Sequence, residues 1–289
     1  MKKTVLSLFL SFGITTFSQT VSDLKFDANI IDSEDSYVVL PKNESDSSYS
    51  FGFIYFDEYA GYTFRSLGDL IVESNKLKLD NESQKNSIQI SRIGNFNLKI
   101  AKLDQGLVSK FNLDAPPKWL NIYKSSNSEN EKILNRASKL NGVNNPQLAL
   151  PKLLQLYKND FKTEALFFEL IFSYNALRNF ADAEKISVEA IKSKKADDLV
   201  KKEYVYALLN QNKVKEAENY LTNNLSSFAK DSRKIEAMIN IVAYSAHFND
   251  LITADKWLKE LKLLPNISRY QKNIDQLENI IKEKQSKIL

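Results

Sequence analysis

Hydrophobic and polar positions alternate with a period of two in the first part of this 289-residue chain. In "SYSFGFIYF" the residues Tyr49, Phe51, Phe53 and Tyr55 fall on every second position, as expected of a half-buried β-strand. Similar runs occur in "YVVL", "SIQISRI", "FNLKIAKL" and "LVSKFNL", and "KNESDSS", "EYAG", "SLGD", "DNESQKN" and "RIGN" predict turns between them. The pattern predicts an all-β sandwich or small barrel between about residues 24 and 113.

A helical period replaces the strand period in the second part, where no glycine follows Gly142. From Glu164 the sequence predicts a helix, the turn "LRN" and a second helix. One apolar stripe contains Phe167, Leu170, Ile171 and Tyr174, and the other contains Phe180, Ala183, Ile186 and Ala190. These segments predict a helical hairpin, because each stripe needs a partner to cover it.

The hairpin pattern recurs along the chain. Ala149, Ala183 and Ala217 follow one another at a constant spacing of 34 positions. Ala254 follows Ala217 at a spacing of 37 positions, and we assign the difference to a longer loop at "SSFAKDSRK". A single amphipathic helix imposes no period of 34, so the spacing predicts stacked hairpins closed by an amphipathic capping helix after Pro265.

At these positions the chain resembles the tetratricopeptide repeat family. Phe167, Leu170, Tyr174, Ala183 and Ala190 stand at the family's large, leucine, tyrosine and two alanine positions. The chain departs from the family at its usual glycine, which is Ile171, Val205 and Val242 here. The resemblance covers roughly residues 129–266. It implies a superhelix of hairpins with a concave wall formed by the first helix of each hairpin.

Four segments follow from these patterns: a signal peptide at 1–18, a β-rich domain at 19–115, a linker at 116–128 and a helical repeat domain at 129–289. Pro116 and Pro117 in "APPKW" and the polar run "SSNSENE" mark the linker. The predicted fold class is therefore a two-part α+β protein. Within the repeat domain, Pro151 falls in apolar sequence that should be helical, so the first hairpin fits least well.

The first residues determine the predicted location. Lys2 and Lys3 precede an apolar run to Phe17, and Thr16-x-Ser18 has the form of a cleavage site. We therefore predict export to the periplasm, with the extracellular space as the alternative, and no membrane span in the mature chain. Loss of both lysines lowers the net charge from +4 to +2, with interspersed signs, which argues against nucleic acid as a partner.

Candidate chemistry is sparse. The chain has no cysteine, and His247 is its one histidine, expected in a turn between helices. No metal, phosphate-loop or nucleophile motif occurs, so we predict neither enzyme activity nor a cofactor. The adjacent carboxylates Asp57-Glu58 and Asp197-Asp198 are more typical of solvated turns than of a glycosidase pair.

The resemblance implies a binding surface for a protein or peptide partner in the cell envelope. Transferring the family's concave positions gives Phe168, Phe172 and Asn175, then Lys202, Tyr206, Leu209 and Asn210, then Ile239, Ala243, Ala246 and His247. The predicted function is a non-catalytic adaptor or scaffold. This prediction includes association of the protein with a membrane complex. A competing interpretation packs Phe168 and Phe172 against a neighbouring hairpin or the β-rich domain.

The β-rich domain supports an alternative function. Its aromatic residues are Tyr49, Phe51, Phe53, Tyr55, Phe56, Tyr59, Tyr62 and Phe64. Exposed rings of this density would form a platform for carbohydrate, whereas buried ones would simply fill a core. The alternative is therefore a glycan-binding or hydrolytic accessory protein acting through this domain.

Overall fold

The computed structural model describes residues 24–81 and 87–287. The chain divides into two compact units, Met1–Lys124 and Ser125–Leu289, called here the first and second units. The first carries an antiparallel sheet and the second carries helices, which confirms the two-part α+β prediction. The predicted signal peptide at 1–18 lies outside the described residues.

Within the described residues, the first unit holds one seven-stranded antiparallel sheet. The strands are β1 (Ala28–Asn29), β2 (Ser36–Val39), β3 (Ser48–Asp57), β4 (Gly61–Glu73), β5 (Lys76–Asp80), β6 (Ile90–Arg92) and β7 (Lys99–Lys102). Their order is β1-β7-β2-β3-β4-β5, and β6 pairs with the first part of β4. The strands β2 and β3 confirm that "YVVL" and "SYSFGFIYF" form strands. The expected half-buried alternation is wrong for β3, because the consecutive residues 51–56 are all buried.

Helical segments cover one face of this sheet. Tyr37, Phe51 and Phe53 form a buried cluster with Leu107 of helix α1 (Gln105–Lys110) and with Leu120. The second layer over this face is therefore helical, where a sandwich would need a second sheet. The segment "LVSKFNL", predicted to be a strand, begins within α1 because the Asp104 carboxylate accepts a hydrogen bond from the Leu107 N–H and caps the helix.

The segment "SLGD", predicted to be a turn, continues β4 instead. The pairing register of β4 with β3 shifts between Phe51 and Gly52 of β3, which marks a β-bulge. Gly68 has φ of +131°, a value that side chains disfavour. On β3, a Cβ at Gly52 would lie 2.3 Å from the Arg65 carbonyl oxygen, so the two strands meet closely only because this residue is glycine.

Part of the predicted linker belongs to the core of the first unit. Residues Lys118–Tyr123 form a 3-10 helix, and the Trp119 ring contacts Tyr55 edge to face at 5.3 Å. The guanidinium of Arg65 lies 4.2 Å from the centre of the Trp119 ring. Aromatic packing of this kind favours a fixed segment over a free linker, and the first unit accordingly ends at Lys124.

The second unit is built from helical hairpins. Its helices are α2 (Glu129–Gly142), α3 (Pro146–Lys158), α4 (Glu164–Ala176), α5 (Phe180–Lys192), α6 (Asp198–Asn210), α7 (Val214–Asn224), α8 (Asp231–His247), α9 (Leu251–Lys262) and α10 (Gln271–Ser286). Each helix from α2 to α9 packs on the next, and α2, α4, α6 and α8 also pack in that order on one another. The first helices of consecutive hairpins thus form an inner row.

The hairpins repeat in register. The residues that end their first helices in a left-handed conformation are Asn144, Arg178, Asn212 and Asn249, with φ between 59° and 63°. These turn residues have the same spacings as the four alanines predicted from the period. Those alanines, Ala149, Ala183, Ala217 and Ala254, are all fully buried. Small side chains at these points allow the paired helices to approach closely.

The extra length of the fourth hairpin lies in a helix. The connection before α8 spans 225–230, nearly the same length as the connection at 193–197 before α6. By contrast, α8 has 17 residues where α6 has 13. The prediction of a longer loop at "SSFAKDSRK" is therefore wrong, because an added turn continues the same packed face with its hydrogen bonds satisfied.

The end of the second unit is covered by α10. Ile274, Leu277 and Ile281 are buried in the cluster that includes α8 and α9. At the other end, α3 accommodates Pro151 in its second turn, so the first hairpin forms despite this residue. Over the described residues, no helix has the length and apolarity that a membrane span requires.

Candidate functional site

Helices α4, α6 and α8 share one side of the second unit, called here the inner wall. Two cavities open on it. The first cavity has a volume of about 290 Å³ and is lined by Phe172, Asn175, Ala176, Lys202, Glu203, Tyr206 and Asn240. The second has a volume of about 460 Å³ and is lined by Arg178, Phe180, Asn210, Ala243, Tyr244, His247 and Phe248.

The structure places the sequence-predicted site residues together. Phe172, Asn175, Lys202 and Tyr206 line the first cavity, and Asn210 and His247 line the second. Phe168 lies beside them, with its ring centre 6.0 Å from that of Phe172. Both phenylalanines are partly exposed, which leaves their rings accessible on the inner wall.

A row of aromatic rings connects the two cavities. Tyr206 lies edge to face with Phe180 and with Tyr244, at 6.2 Å between ring centres in each case. Phe248 continues the row, 6.4 Å from Tyr244. These rings come from three successive hairpins and form a rigid apolar surface that carries the tyrosine hydroxyl groups. Aromatic residues of this kind are typical anchors for a binding partner.

Asn175 has a structural role in addition to its place in the first cavity. Its Nδ2 donates hydrogen bonds to the Glu203 carbonyl oxygen at 3.1 Å and to Glu203 Oε2 at 2.9 Å. These bonds join α4 to α6. One repeat earlier, Asn141 makes the same pair of bonds to Glu169, so an asparagine clamp recurs between successive inner helices.

The charges in the first cavity are balanced. Lys202 Nζ lies 3.2 Å from Glu203 Oε1 and 3.3 Å from Glu236 Oε2. The guanidinium of Arg233 also contacts Glu236, at 2.9 Å. Lys202 therefore forms part of a network of alternating signs. An occupant of this cavity would gain little from carrying a net charge of its own.

The second cavity has a different electrostatic character. Among the residues that the structure describes, its lining contains Arg178 and His247 and no carboxylate. The Tyr244 hydroxyl donates a 2.6 Å hydrogen bond to Asn210 Oδ1. Burial raises the pKa of Tyr244, and the positive charge of Arg178 acts against that increase.

Some predicted wall residues lie in the core instead. Leu209 and Ala246 are at most 1% exposed, and Ile239 packs against the buried cluster. They neighbour the wall positions in sequence, but the helical rotation of about 100° per residue turns them inward. His247 is the last residue of α8, so the prediction that it lies in a turn between helices is wrong.

Several lining residues were missed by sequence reasoning. Arg178 and Phe180 follow the first helix of their hairpin, and Glu203 lies next to Lys202. Asn240 and Tyr244 were missed because the fourth hairpin was aligned with a shift of 37 positions. Moving 34 positions along the chain from Tyr206 and Asn210 reaches Asn240 and Tyr244, whereas moving 37 positions reaches Ala243 and His247. The two alignments differ by three residues, which is nearly one helical turn, so both sets lie on the same face of α8.

The adjacent carboxylates have structural partners. Asp57 Oδ1 accepts hydrogen bonds from the Tyr59 and Ala60 N–H groups in the turn after β3. Asp197 caps α6 through the Val200 N–H, and Asp198 accepts from the Lys230 N–H. These contacts favour the turn and cap interpretation. No cluster of potential metal ligands occurs within the described ranges.

Five of the eight aromatic residues on which the glycan hypothesis is based are buried. Phe51, Phe53, Tyr55, Phe56 and Tyr62 are at most 3% exposed. A buried ring offers no face to a sugar, so these five belong to the core. Tyr49 and Phe64 are partly exposed, and Tyr59 is 86% exposed at the turn between β3 and β4. The glycan hypothesis thus depends on these three residues.

Similarity to known proteins adds nothing to this geometry. Comparisons of the chain with protein families, with curated proteins and with solved structures find no match.

Proposed function

We propose that this protein is a non-catalytic adaptor of the bacterial cell envelope, which binds a partner polypeptide on the inner wall of a tetratricopeptide-like superhelix. The single observation that carries the proposal is the convergence of the predicted site residues on two neighbouring cavities of that wall. Residues far apart in sequence meet there because the hairpins stack in register. The envelope location rests on the signal-peptide pattern at positions 1–18.

The character of the wall favours a polypeptide as occupant. Its cavities are open and joined by the aromatic row of Phe180, Tyr206, Tyr244 and Phe248. An extended segment or a helix places side chains at intervals, and each side chain can enter one cavity. Aromatic anchors of this kind usually supply most of the affinity of such an interface.

Site-specific photo-crosslinking in the native envelope tests the proposal. Benzoylphenylalanine replaces Phe172 in the first cavity, and in a matched protein it replaces Ile252, an 87% exposed residue of α9. We expect a discrete crosslinked partner from position 172 and none from position 252. Equal crosslinking from both positions would indicate nonspecific contact and contradict the proposal.

A second arm separates binding from folding. The substitution Tyr206→Ala in the crosslinker-bearing protein removes the ring that connects the cavities. We expect loss of the crosslink with little change in the melting temperature, because Tyr206 is partly exposed. If the crosslink persists, or if the fold loses several kcal/mol (roughly the cost of deleting a core aromatic side chain), Tyr206 is a packing residue and the wall is not the binding surface.

A further inference from the structure

The turn residue Arg178 stands out among its structural equivalents. It ends the first helix of its hairpin with φ of 63°, and the matching residues of the other hairpins are Asn144, Asn212 and Asn249. Asparagine is the side chain that best tolerates this left-handed conformation after glycine. Arg178 is therefore the one cation among these four equivalent turn residues, and the surroundings of its guanidinium decide what that charge can do.

That guanidinium has no partner among the described residues. Within the described part of the chain, Arg178 forms no ion pair or hydrogen bond through its side chain. It lines the second cavity beside Phe180 and Tyr244. Lys284 Nζ donates a 3.1 Å hydrogen bond to the carbonyl oxygen of the lining residue His247 and a 2.8 Å hydrogen bond to Asn249 Oδ1, which places a second cation next to His247. The local field therefore favours a negatively charged occupant.

The aromatic residues of the same cavity indicate which group should lie beside the negative charge of the occupant. Phe180, Tyr244 and Phe248 present ring faces or edges, and Phe248 is 45% exposed. A guanidinium next to aromatic rings matches a carboxylate that is adjacent to an apolar or aromatic group. The first cavity differs in this respect, because Lys202 is already neutralised by Glu203 and Glu236.

We propose that the second cavity recognises an acidic side chain next to an aromatic one in the partner polypeptide, with Arg178 binding the carboxylate and Phe180, Tyr244 and Phe248 receiving the ring. This inference rests on the proposed function and names the partner's chemistry. It places the charge-reading part of the site at the turn between α4 and α5. The first cavity, with its balanced charges, contributes contacts that do not depend on a charge of the partner.

Fluorescence anisotropy with short labelled peptides on the full chain tests this chemistry. The probe is Ser-Gly-Asp-Phe-Gly-Ser with a blocked C terminus, so that its one carboxylate is the aspartate side chain. Matched probes carry Asn in place of Asp, or Ala in place of Phe. We expect each change in the probe to weaken binding about tenfold or more, because a charged hydrogen bond or a buried ring is lost.

The protein variants are matched in the same way. Arg178→Asn removes the charge and installs the residue found at the three equivalent turns. Lys194→Asn is the control, since Lys194 also has a left-handed conformation, with φ of 57°, but does not line the cavity. We expect Arg178→Asn to weaken binding of the acidic probe by about tenfold or more and to leave binding of the neutral probe unchanged. Lys194→Asn should leave both unchanged, and both variants should keep the wild-type melting temperature or raise it.

Failure of this inference and failure of the proposed function give different results. If wild type and Arg178→Asn bind the acidic and neutral probes alike, the charge-reading inference is overturned while the crosslink from position 172 can still support an adaptor. Tighter binding of a probe whose one carboxylate is its C terminus would also overturn the side-chain assignment. Absence of both peptide binding and crosslinking would overturn the two proposals together.

Discussion

At the scale of single residues, the two asparagine clamps of the second unit differ in how many of their polar atoms are hydrogen-bonded. Asn141 bonds to Glu169 through Nδ2, and its Oδ1 accepts a 2.9 Å hydrogen bond from the Ser173 hydroxyl. Asn175 bonds to Glu203 in the same way, but its buried Oδ1 has no partner among the residues that the structure describes. The position one repeat after Ser173 holds alanine, Ala207. A missing hydroxyl therefore leaves a buried acceptor unsatisfied.

This difference predicts opposite effects of two substitutions. Ser173→Ala should lower the free energy of unfolding by about 1–2 kcal/mol, because it leaves Asn141 Oδ1 unpaired. Ala207→Ser should raise it by about 1 kcal/mol, because the new hydroxyl can donate to Asn175 Oδ1. Urea denaturation measures both. In an Asn175→Ala background the benefit of Ala207→Ser should disappear, and a benefit that remains there contradicts the explanation.

Tyr220 predicts a dependence of stability on alkaline pH. Burial, assisted by the nearby Tyr204, raises its pKa to about 12. Because the unfolded pKa is about 10, folding favours the neutral phenol, and this contribution is present below about pH 10 and is lost as the pH rises towards 12. Tyr220→Phe should reduce the fall in unfolding free energy across that interval. Urea denaturation across the same pH interval measures the fall, and an equal fall in wild type and Tyr220→Phe would contradict this assignment.

At the scale of elements, the repeat depends on small residues between paired helices. Ala183 of α5 is fully buried, whereas Ala181, slightly earlier in the same helix, is exposed. Ala183→Leu should lower the free energy of unfolding by about 1–3 kcal/mol through overpacking. Ala181→Leu should change it by less than about 0.5 kcal/mol. Equal effects of the two substitutions, measured by urea denaturation, would mean that close helix approach is unimportant here.

Elements also show where pattern reading succeeds. The strand β3 and the hairpin of α4 and α5 lie where periods of two and 3.6 predict them, although burial in β3 extends to the consecutive residues 51–56. The 3-10 helix at Lys118–Tyr123 and the helix α1 have no such period, since they are short and their burial depends on the sheet below them. The glycine bulge within β4 likewise resembles a turn until its neighbouring strand is known.

At the scale of the whole molecule, the two units have separate buried clusters. One cluster contains Phe51 and Leu107 in the first unit, and another contains Leu208 and Ile241 in the second. We expect a polypeptide of residues 125–289 to fold on its own, with helical circular dichroism and cooperative thermal unfolding. A shorter polypeptide that ends at residue 262 should melt at a lower temperature, because α10 no longer covers Leu258 and its neighbours. An unfolded 125–289 polypeptide would contradict separate cores.

The sequence by itself determined the two-part architecture, the spacing of the hairpins and part of the inner wall, because periods of burial and small residues are local properties of a chain. Tertiary structure decided the strand order, the extra turn of α8 and the contrast between the two cavities. Arg178, for example, is a turn residue in the sequence and becomes a cavity residue only when α8 places Tyr244 and His247 opposite it. The difference in charge between the two cavities depends on which charged side chains meet across helices. The spacing of residues along a single helix does not determine these meetings.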